Sequence, residues 1–285
     1  MKIILYPNIN RDLGLETTQK IGKILEDPGI ELVLCPTQDE DDPIDIPTTK
    51  YPTQKFEDAL KDADIVITFG GDGTILRAAR TAADYETQIL GINMGGKGFM
   101  AELETDELEI VRKLKTQKPE IEKRMMLDAS VIRAGQTVYR EYALNDIVIR
   151  GYNKVIDLTL YGDGQIISGF TGDGVIIATP TGSTAYSMSA GGPIVEPTTE
   201  NIIVTPICAH VMHAKPFVLE SDRNVTVKIG REKHNPAYIS ADGCEMVDIR
   251  SHDEIVVKKS SKYTRLVRLS GKSFYSIVSE KLRER

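Results

Sequence analysis

The sequence predicts an α/β N-terminal domain with a parallel sheet, an all-β C-terminal domain and a C-terminal helix. A change in the sequence pattern along the chain predicts this division. Short apolar runs alternate with helical spacing in the N-terminal part, whereas from about Met125 short runs rich in Val, Ile, Thr and Tyr are separated by turn residues. We therefore expect one domain at residues 1–120 and a second at residues 121–268.

Four apolar runs predict the strands of the parallel sheet, with amphipathic helices between them. The strands are expected at residues 2–6, 31–35, 64–69 and 88–93. The helix faces are expected to be formed by Ile21, Ile24 and Leu25, and by Ile75, Leu76 and Ala79. Such alternation is typical of βαβ units. The acidic, Pro-containing segment 38–52 is interpreted as a solvated loop.

Turn residues divide the following part into predicted hairpins. Residues 134–136 (AGQ) and 161–164 (YGDG) provide the clearest turns. Helical spacing returns at residues 183–190 and again at 273–285. The apolar stripe of that last helix consists of Phe274, Ile277, Val278 and Leu282.

Composition excludes several classes of protein. A formal charge of -7 disfavours a nucleic-acid surface. No apolar stretch approaches the roughly 20 residues that span a bilayer, and the first residues carry no basic signal region. The three cysteines have no metal-ligand or redox spacing. We expect a cytoplasmic protein that binds neither nucleic acid nor membrane.

The most distinctive local feature is a Gly-rich loop at residues 70–74 (GGDGT), before a helix expected to begin near Ile75. Glycine permits unusual backbone angles and close ligand approach, and a helix N-terminus attracts phosphate. A carboxylate is unfavourable beside phosphate unless it meets a metal ion or a hydroxyl proton. Asp72 is therefore predicted to contact Mg²⁺ or to orient a hydroxyl group. The alternative is a tight turn with Asp72 or Thr74 as helix cap.

A second Gly-rich, polar segment covers residues 171–193. It contains TGDG at 171–174, a predicted strand at 175–178 and TPTGSTAYS at 179–187. Small hydroxyl residues supply hydrogen-bond donors with little bulk, as a polar ligand in close contact requires, and Tyr186 adds a flat ring. The alternative is a capped helix in a Gly-rich corner of the β domain.

These motifs together resemble those of NAD kinases. GGDGT is followed by GINMG at residues 91–95 and by Gly98-Phe99, as in the N-terminal half of that family. Asn145-Asp146 resembles its paired Asn and acidic residue, and residues 179–193 resemble its long Thr- and Gly-rich signature. Related sugar and lipid kinases share the GGDG loop, but the signature at 181–186 is more particular to NAD kinases.

The resemblance implies transfer of the γ-phosphoryl group of ATP, or of another donor such as polyphosphate, to the adenosine 2′-hydroxyl of NAD, which gives NADP. Asp72 would engage the attacking hydroxyl group. The donor phosphates would bind Gly71, Gly73 and Thr74. The implied NAD-binding residues are Asn145, Asp146, Asp173, Thr181, Thr184, Ala185, Tyr186 and Ser189. Phe99, His210 and Lys97 are further candidates, and Lys97 stands where the family pattern has Leu.

The resemblance also implies a divalent cation, with Mg²⁺ expected, and a homodimer or homotetramer. The C-terminal segment 269–285 is implied to return to the first domain. Two other functions compete with this interpretation. A lipid or sugar kinase could use the same loop on another alcohol, but the sequence has no basic amphipathic helix for a membrane surface. A sensor that binds NAD without turnover would keep the pocket, and the intact Asp72 argues against it.

Overall fold

The computed structural model describes residues 1–37, 45–95, 98–211, 214–230 and 236–283. It divides into two compact units. The first unit comprises Met1–Lys123 and Thr264–Arg285, and the second comprises Arg124–Tyr263. The first unit is therefore built from two separate stretches of sequence.

The elements of the described residues are as follows. The strands are β1 (Lys2–Pro7), β2 (Glu31–Leu34), β3 (Ile65–Gly70), β4 (Gln88–Asn93), β5 (Glu120–Arg133), β6 (Gln136–Ala143), β7 (Asp146–Gly151), β8 (Ile156–Gly162), β9 (Gln165–Gly172), β10 (Gly174–Ala178), β11 (Asn201–Ile207), β12 (Phe217–Glu220), β13 (Val225–Ile229), β14 (Ala237–Ala241), β15 (Val247–Ile249) and β16 (Glu254–Arg268). The α-helices are α1 (Glu16–Leu25), α2 (Phe56–Ala59), α3 (Asp72–Ala82), α4 (Tyr186–Ser189) and α5 (Phe274–Arg283). Short 3-10 helices cover Leu13–Leu15, Leu60–Asp62, Leu108–Lys115 and Thr181–Thr184.

The first unit contains a parallel sheet in the order β2-β1-β3-β4. Arg265 and Leu266, near the end of β16, pair with β4 in parallel. Every residue of β3 is buried, because both faces of the sheet are covered. The hydrophobic core of this unit joins the sheet to α1 and includes Leu5, Ile67 and Ile21. The four strands predicted for this domain are confirmed.

Helix α3 begins three residues earlier than the sequence predicted, at Asp72 rather than near Ile75. The carbonyl group of Gly71 accepts hydrogen bonds from the N–H groups of Thr74 at 2.9 Å and Ile75 at 3.4 Å. The N-cap is Gly71, without a side-chain capping bond, so neither Asp72 nor Thr74 acts as the cap. The GGDGT motif is thus the first turn of a helix, and that turn presents N–H groups and a positive dipole end.

The second unit is built from antiparallel strands. Six of them form a sheet in the order β12-β11-β10-β7-β14-β15. A hydrophobic core that includes Leu127, Ile149, Val175 and Val227 lies inside this unit. Both predicted hairpin turns are confirmed, because Ala134-Gly135 and Asp163-Gly164 each adopt two consecutive positive φ angles between paired strands.

The last helix, α5, belongs to the first unit. Its Lys281 Nζ atom lies 3.6 Å from Glu104 Oε1. The predicted apolar stripe is only partly covered, since none of the described α5 residues is buried and Leu282 is exposed. The predicted fold class, with a parallel α/β domain, a β-rich domain and a C-terminal helix in the first unit, is confirmed. Of the helices in the described residues, none is long and apolar enough to cross a membrane.

Of the predicted loop 38–52, residues 38–44 lie outside the described residues. Residues 45–52 contain no helix or strand, and the carbonyl group of Pro52 accepts a hydrogen bond from Leu34 N–H at 2.9 Å. The end of this segment is therefore anchored beside β2.

Candidate functional site

A pocket of about 270 Å³ lies at the N-terminus of α3 in the first unit. Its lining consists of Asn8, Arg11, Gly71, Gly73, Thr74, Arg77 and Met94. The three predicted phosphate-binding residues are therefore brought together in one cavity. Two arginines face the same cavity, which gives it the positive charge that a phosphate ligand needs.

The glycines of this loop provide space rather than unusual backbone angles. Gly70, Gly71 and Gly73 are absent from the residues with positive φ in the described chain. A Cβ atom at Gly71 or Gly73 would meet no described protein atom within 4 Å, so a side chain there would project into open space. The missing side chains leave the helix N-terminus accessible to a ligand.

The Asp72 carboxylate faces the backbone of a neighbouring segment. Its Oδ2 atom accepts a hydrogen bond from Phe99 N–H at 2.8 Å, and Oδ1 accepts one from Met100 N–H at 3.2 Å. Gly98 permits this approach, since a Cβ atom there would lie 2.7 Å from Asp72 Oδ1. Phe99, a candidate from the sequence, thus contacts the proposed catalytic carboxylate through its backbone.

Burial raises the pKa of Asp72 above its ordinary value. The N–H groups of Phe99, Met100 and Ala101, together with the positive charge of Lys281, act in the opposite direction and lower that pKa. Desolvation is the largest of these effects, so the carboxylate accepts a proton more readily than an exposed aspartate does. Lys97, the other candidate near this loop, lies outside the described residues.

The second unit contains a pocket of about 440 Å³. Four of the predicted NAD-binding residues line it: Asn145, Asp146, Ala185 and Tyr186. The remaining lining residues are Val148, Tyr238, Ser240, Asp242, Gly243, Cys244 and Met246. Tyr186 is 37% exposed, and its ring is therefore proposed to stack against a flat ligand.

Asp242 organises the backbone on one side of this second pocket. Its Oδ2 atom accepts a hydrogen bond from Leu144 N–H at 2.8 Å, while Oδ1 accepts from Asn145 N–H at 2.8 Å and Asp146 N–H at 3.0 Å. The backbone of Asp242 itself has a positive φ of 50°. A single carboxylate therefore fixes the Asn145-Asp146 pair at the start of β7.

Asp146 is only 5% exposed. Burial, and secondarily the negative charge of Asp242, raise the pKa of Asp146 to about 7. Near neutral pH the group is therefore present in both protonation states. The protonated form can donate a hydrogen bond, and the ionised form only accepts. This side chain can therefore act as donor to, or acceptor from, a ligand hydroxyl group.

The other predicted residues of the second unit lie outside the lining of this pocket. Thr181 is buried and its Oγ1 atom accepts a hydrogen bond from the guanidinium group of Arg124 at 3.2 Å. Asp173 is paired with Arg150 at 3.7 Å. Thr184 is half-buried, and its hydroxyl group donates to the carbonyl group of Thr181 at 3.2 Å. Ser189 and His210 are exposed.

Several residues that line the two pockets were not predicted. Arg11 lies 59 positions before the first residue of the Gly-rich loop and belongs to no motif, so no local signal identified it. Arg77 lies one turn beyond Thr74 on α3. Residues three apart on a helix share a face, so this spacing could have placed Arg77 beside Thr74. Asp242-Gly243 directly follows β14, and an Asp-Gly pair after a strand is a recognisable turn.

A cationic cavity at a helix N-terminus, beside a carboxylate with a raised pKa, is the arrangement of a phosphotransferase that acts on an alcohol. Comparison with known proteins specifies the family. Residues 15–117 match the model of the ATP-NAD kinase N-terminal domain, and residues 144–269 match that of the ATP-NAD kinase C-terminal domain. The chain belongs to the NAD kinase family.

Two curated relatives match over nearly their full length. An NAD kinase of Caldanaerobacter subterraneus is 39% identical over 287 residues, which covers 100% of this chain and 99% of the relative. An NAD kinase of Natranaerobius thermophilus is also 39% identical, over 98% of this chain and 96% of the relative.

Solved structures share the fold. An NAD kinase from Archaeoglobus fulgidus in complex with ATP is 26% identical, with a TM-score of 0.76 and coverage of 99% of both chains. A yeast NADH kinase complexed with NADH is 24% identical, with a TM-score of 0.84 and coverage of 100% of this chain and 86% of the yeast chain. At that identity the yeast structure supports the fold alone.

Proposed function

We propose that the protein transfers the γ-phosphoryl group of ATP to the adenosine 2′-hydroxyl of NAD, giving NADP. The observation that carries this proposal is the Asp72 carboxylate, which is held by two N–H groups at the first turn of α3, where Gly71, Gly73 and Thr74 line a cationic pocket. Membership of the NAD kinase family supports the choice of substrates.

In this proposal the donor phosphates bind at the N-terminus of α3. Gly71, Gly73 and Thr74 supply backbone and hydroxyl donors, and Arg11 and Arg77 supply positive charge. Phosphoryl transfer passes through a loose transition state, so fixed positions and charge neutralisation contribute more than proton removal does. Asp72 then orients the attacking 2′-hydroxyl and accepts its proton as the new bond forms.

NAD is proposed to bind through the second unit. Asn145 and Asp146 offer amide and carboxyl groups to ribose hydroxyls, and Tyr186 offers a ring face to adenine. Asp173, Thr181, Thr184 and Ser189 are proposed to support the same ligand. Arg124 would hold Thr181 in place, because Arg124 is buried and its guanidinium group donates a hydrogen bond to the threonine hydroxyl group.

The remaining requirements are also proposals. Mg²⁺ suits the reaction, because it is usually held by substrate phosphates with one or two carboxylates, and it would neutralise charge on the transferring group. Family resemblance supports a homodimer or homotetramer. We place the protein in the cytoplasm, since Cys35, Cys208 and Cys244 are all free and a reducing compartment preserves free thiols.

The test compares NADP formation by the wild type, Asp72→Asn and the control Asp106→Asn, whose carboxylate is exposed on the same unit. Purified protein is incubated with NAD, ATP and Mg²⁺, and NADP is measured with an NADP-specific dehydrogenase. We expect Asp72→Asn to lower kcat by roughly 10²- to 10⁴-fold, as loss of a positioned acid-base group does, with the control unchanged.

One result would contradict the proposed activity, and another would contradict the role of Asp72. A wild type that binds NAD in calorimetry but forms no NADP with ATP or polyphosphate would indicate a sensor. Near-normal turnover by Asp72→Asn would remove Asp72 from the reaction while leaving the kinase activity in place.

A further inference from the structure

The orientation of Asp72 depends on where residues 98–102 lie. Both of its carboxylate oxygens are hydrogen-bonded to this segment, at Phe99 N–H and Met100 N–H. The segment is attached to β4 on one side, because the carbonyl group of Gly91 accepts a hydrogen bond from Glu102 N–H at 2.9 Å. A displacement of this segment would therefore displace the Asp72 carboxylate.

Arg268, at the end of β16, holds the same segment from its other side. Its Nη1 atom donates to the carbonyl oxygen of Met100 at 3.3 Å and lies 3.1 Å from Glu102 Oε2. Its Nη2 atom lies 3.1 Å from Glu122 Oε1. The Arg268 side chain is only 13% exposed and that of Glu102 only 4%. One planar guanidinium group thus serves a carbonyl and two carboxylates at once.

Glu102 completes the attachment to the C-terminal part of the chain. Its Oε1 atom accepts hydrogen bonds from Leu269 N–H at 2.6 Å and from Ser270 N–H. Its second oxygen is paired with Arg268. Glu102 is therefore a buried carboxylate whose charge is compensated by one cation and two backbone donors.

We propose that Arg268 is a positioning residue for phosphoryl transfer, which fixes the Asp72 carboxylate through Met100 and Glu102. This inference rests on the proposed function. Met100 is the direct link, because its N–H group donates to Asp72 and its carbonyl group accepts from Arg268. Among the described residues that line the two pockets, Arg268 does not occur, so its effect is proposed to reach the reaction through this segment.

The test replaces Arg268 by Lys and, separately, by Gln. Lys keeps the charge but cannot reach three partners in a plane. We expect Arg268→Lys to lower kcat by roughly tenfold to a hundredfold, since small misplacements of a reacting group have effects of that size. KM for NAD and for ATP should stay unchanged, because no contact to either substrate is removed.

The matched control is Arg133→Lys in the second unit. Arg133 forms a comparable pair with a buried carboxylate, since its Nη2 atom lies 2.7 Å from Asp253 Oδ2 and the Asp253 side chain is 2% exposed. We expect this control to lower the thermal unfolding temperature about as much as Arg268→Lys does. Its kcat should remain that of the wild type.

A double-mutant cycle separates positioning from general destabilisation. In an Asp72→Asn background, Arg268→Lys should have little further effect on the residual kcat, because the group that it positions is already altered. An equal fold-loss in both backgrounds, a wild-type kcat in Arg268→Lys, or failure of both Arg268 variants to fold would overturn the inference. A wild type that forms no NADP would overturn the proposed function and this inference together, whereas an active wild type leaves the two distinguishable.

Discussion

Replacement of Asp146 by Asn should make the stability of the protein less sensitive to pH. Asp146 is 5% exposed, and burial together with the charge of Asp242 raises its pKa to about 7 from the ordinary value of 3.8. Between about pH 4 and pH 7 the folded protein therefore holds a proton that the unfolded chain has released. Folded stability must fall as pH rises through this window, because the unfolded state binds fewer protons.

The size of the effect follows from the pKa difference. A rise of about three pKa units corresponds to about 4 kcal/mol at pH values above both pKa values, at 1.36 kcal/mol per unit. Most of this loss, roughly 2 to 3 kcal/mol, falls between pH 5 and pH 8. Asn cannot ionise, so Asp146→Asn lacks this loss. The stability of Asp146→Asn relative to the wild type should therefore be higher at pH 8 than at pH 5 by about that amount.

The assay is urea unfolding without nucleotide at pH 5 and pH 8, followed by far-UV circular dichroism. Asp222→Asn, at an exposed carboxylate of the same unit, corrects for the general loss of a negative charge. A stability difference between Asp146→Asn and the wild type that is the same at both pH values would refute the reasoning. In that case the carboxyl group would titrate alike in the folded and unfolded states.

Two further variants test the pockets separately. Gly182→Ala should raise KM for NAD by tenfold or more, because the new Cβ atom would lie 2.1 Å from the Asn145 carbonyl oxygen and a displacement of about 1 Å suffices for a large loss. Gly169→Ala is the uncrowded control. An unchanged KM for NAD in Gly182→Ala would argue against a role of Asn145 in NAD binding. Arg77→Ala should raise KM for ATP by roughly tenfold to a hundredfold, the value of one hydrogen bond to a charged group, and leave KM for NAD unaltered. The exposed Arg112→Ala serves as its control in steady-state kinetics, and an effect of Arg77→Ala on NAD instead of ATP would contradict the assignment.

The local pattern of apolar and polar residues was sufficient to predict most of the strands and helices. Strands such as Gln88–Asn93 were predicted to the residue, because apolar runs between polar segments reflect burial on both faces. The start of α3 was misplaced because Gly71 supplies the N-cap through its backbone, and because Gly and Asp rank low on scales of propensity for a helix interior. Helix boundaries of this kind depend on hydrogen bonds that the sequence does not display.

The two pockets differ in how much the sequence predicted. Gly71, Gly73 and Thr74 are contiguous, so their common location follows from one motif. Arg11 reaches the same cavity from beyond the end of β1 and Asp242 reaches Asn145 from beyond the end of β14, and only strand order brings such residues together. Arg268 and Met100 are 168 positions apart for the same reason. Long-range pairs without a motif are not visible in a single sequence.

The discontinuous first unit has a consequence for biosynthesis. Residues 1–123 leave the ribosome first. The second strand partner of β4, at Arg265 and Leu266, is made only after the whole second unit, and so are the cations Arg268 and Lys281. A nascent chain halted before Thr264 would contain the GGDGT motif but would lack Arg268 and Lys281. These cations pair with Glu102 and Glu104 near that motif. The timing of translation thus delays assembly of the Asp72 environment until the final stretch of the chain is available.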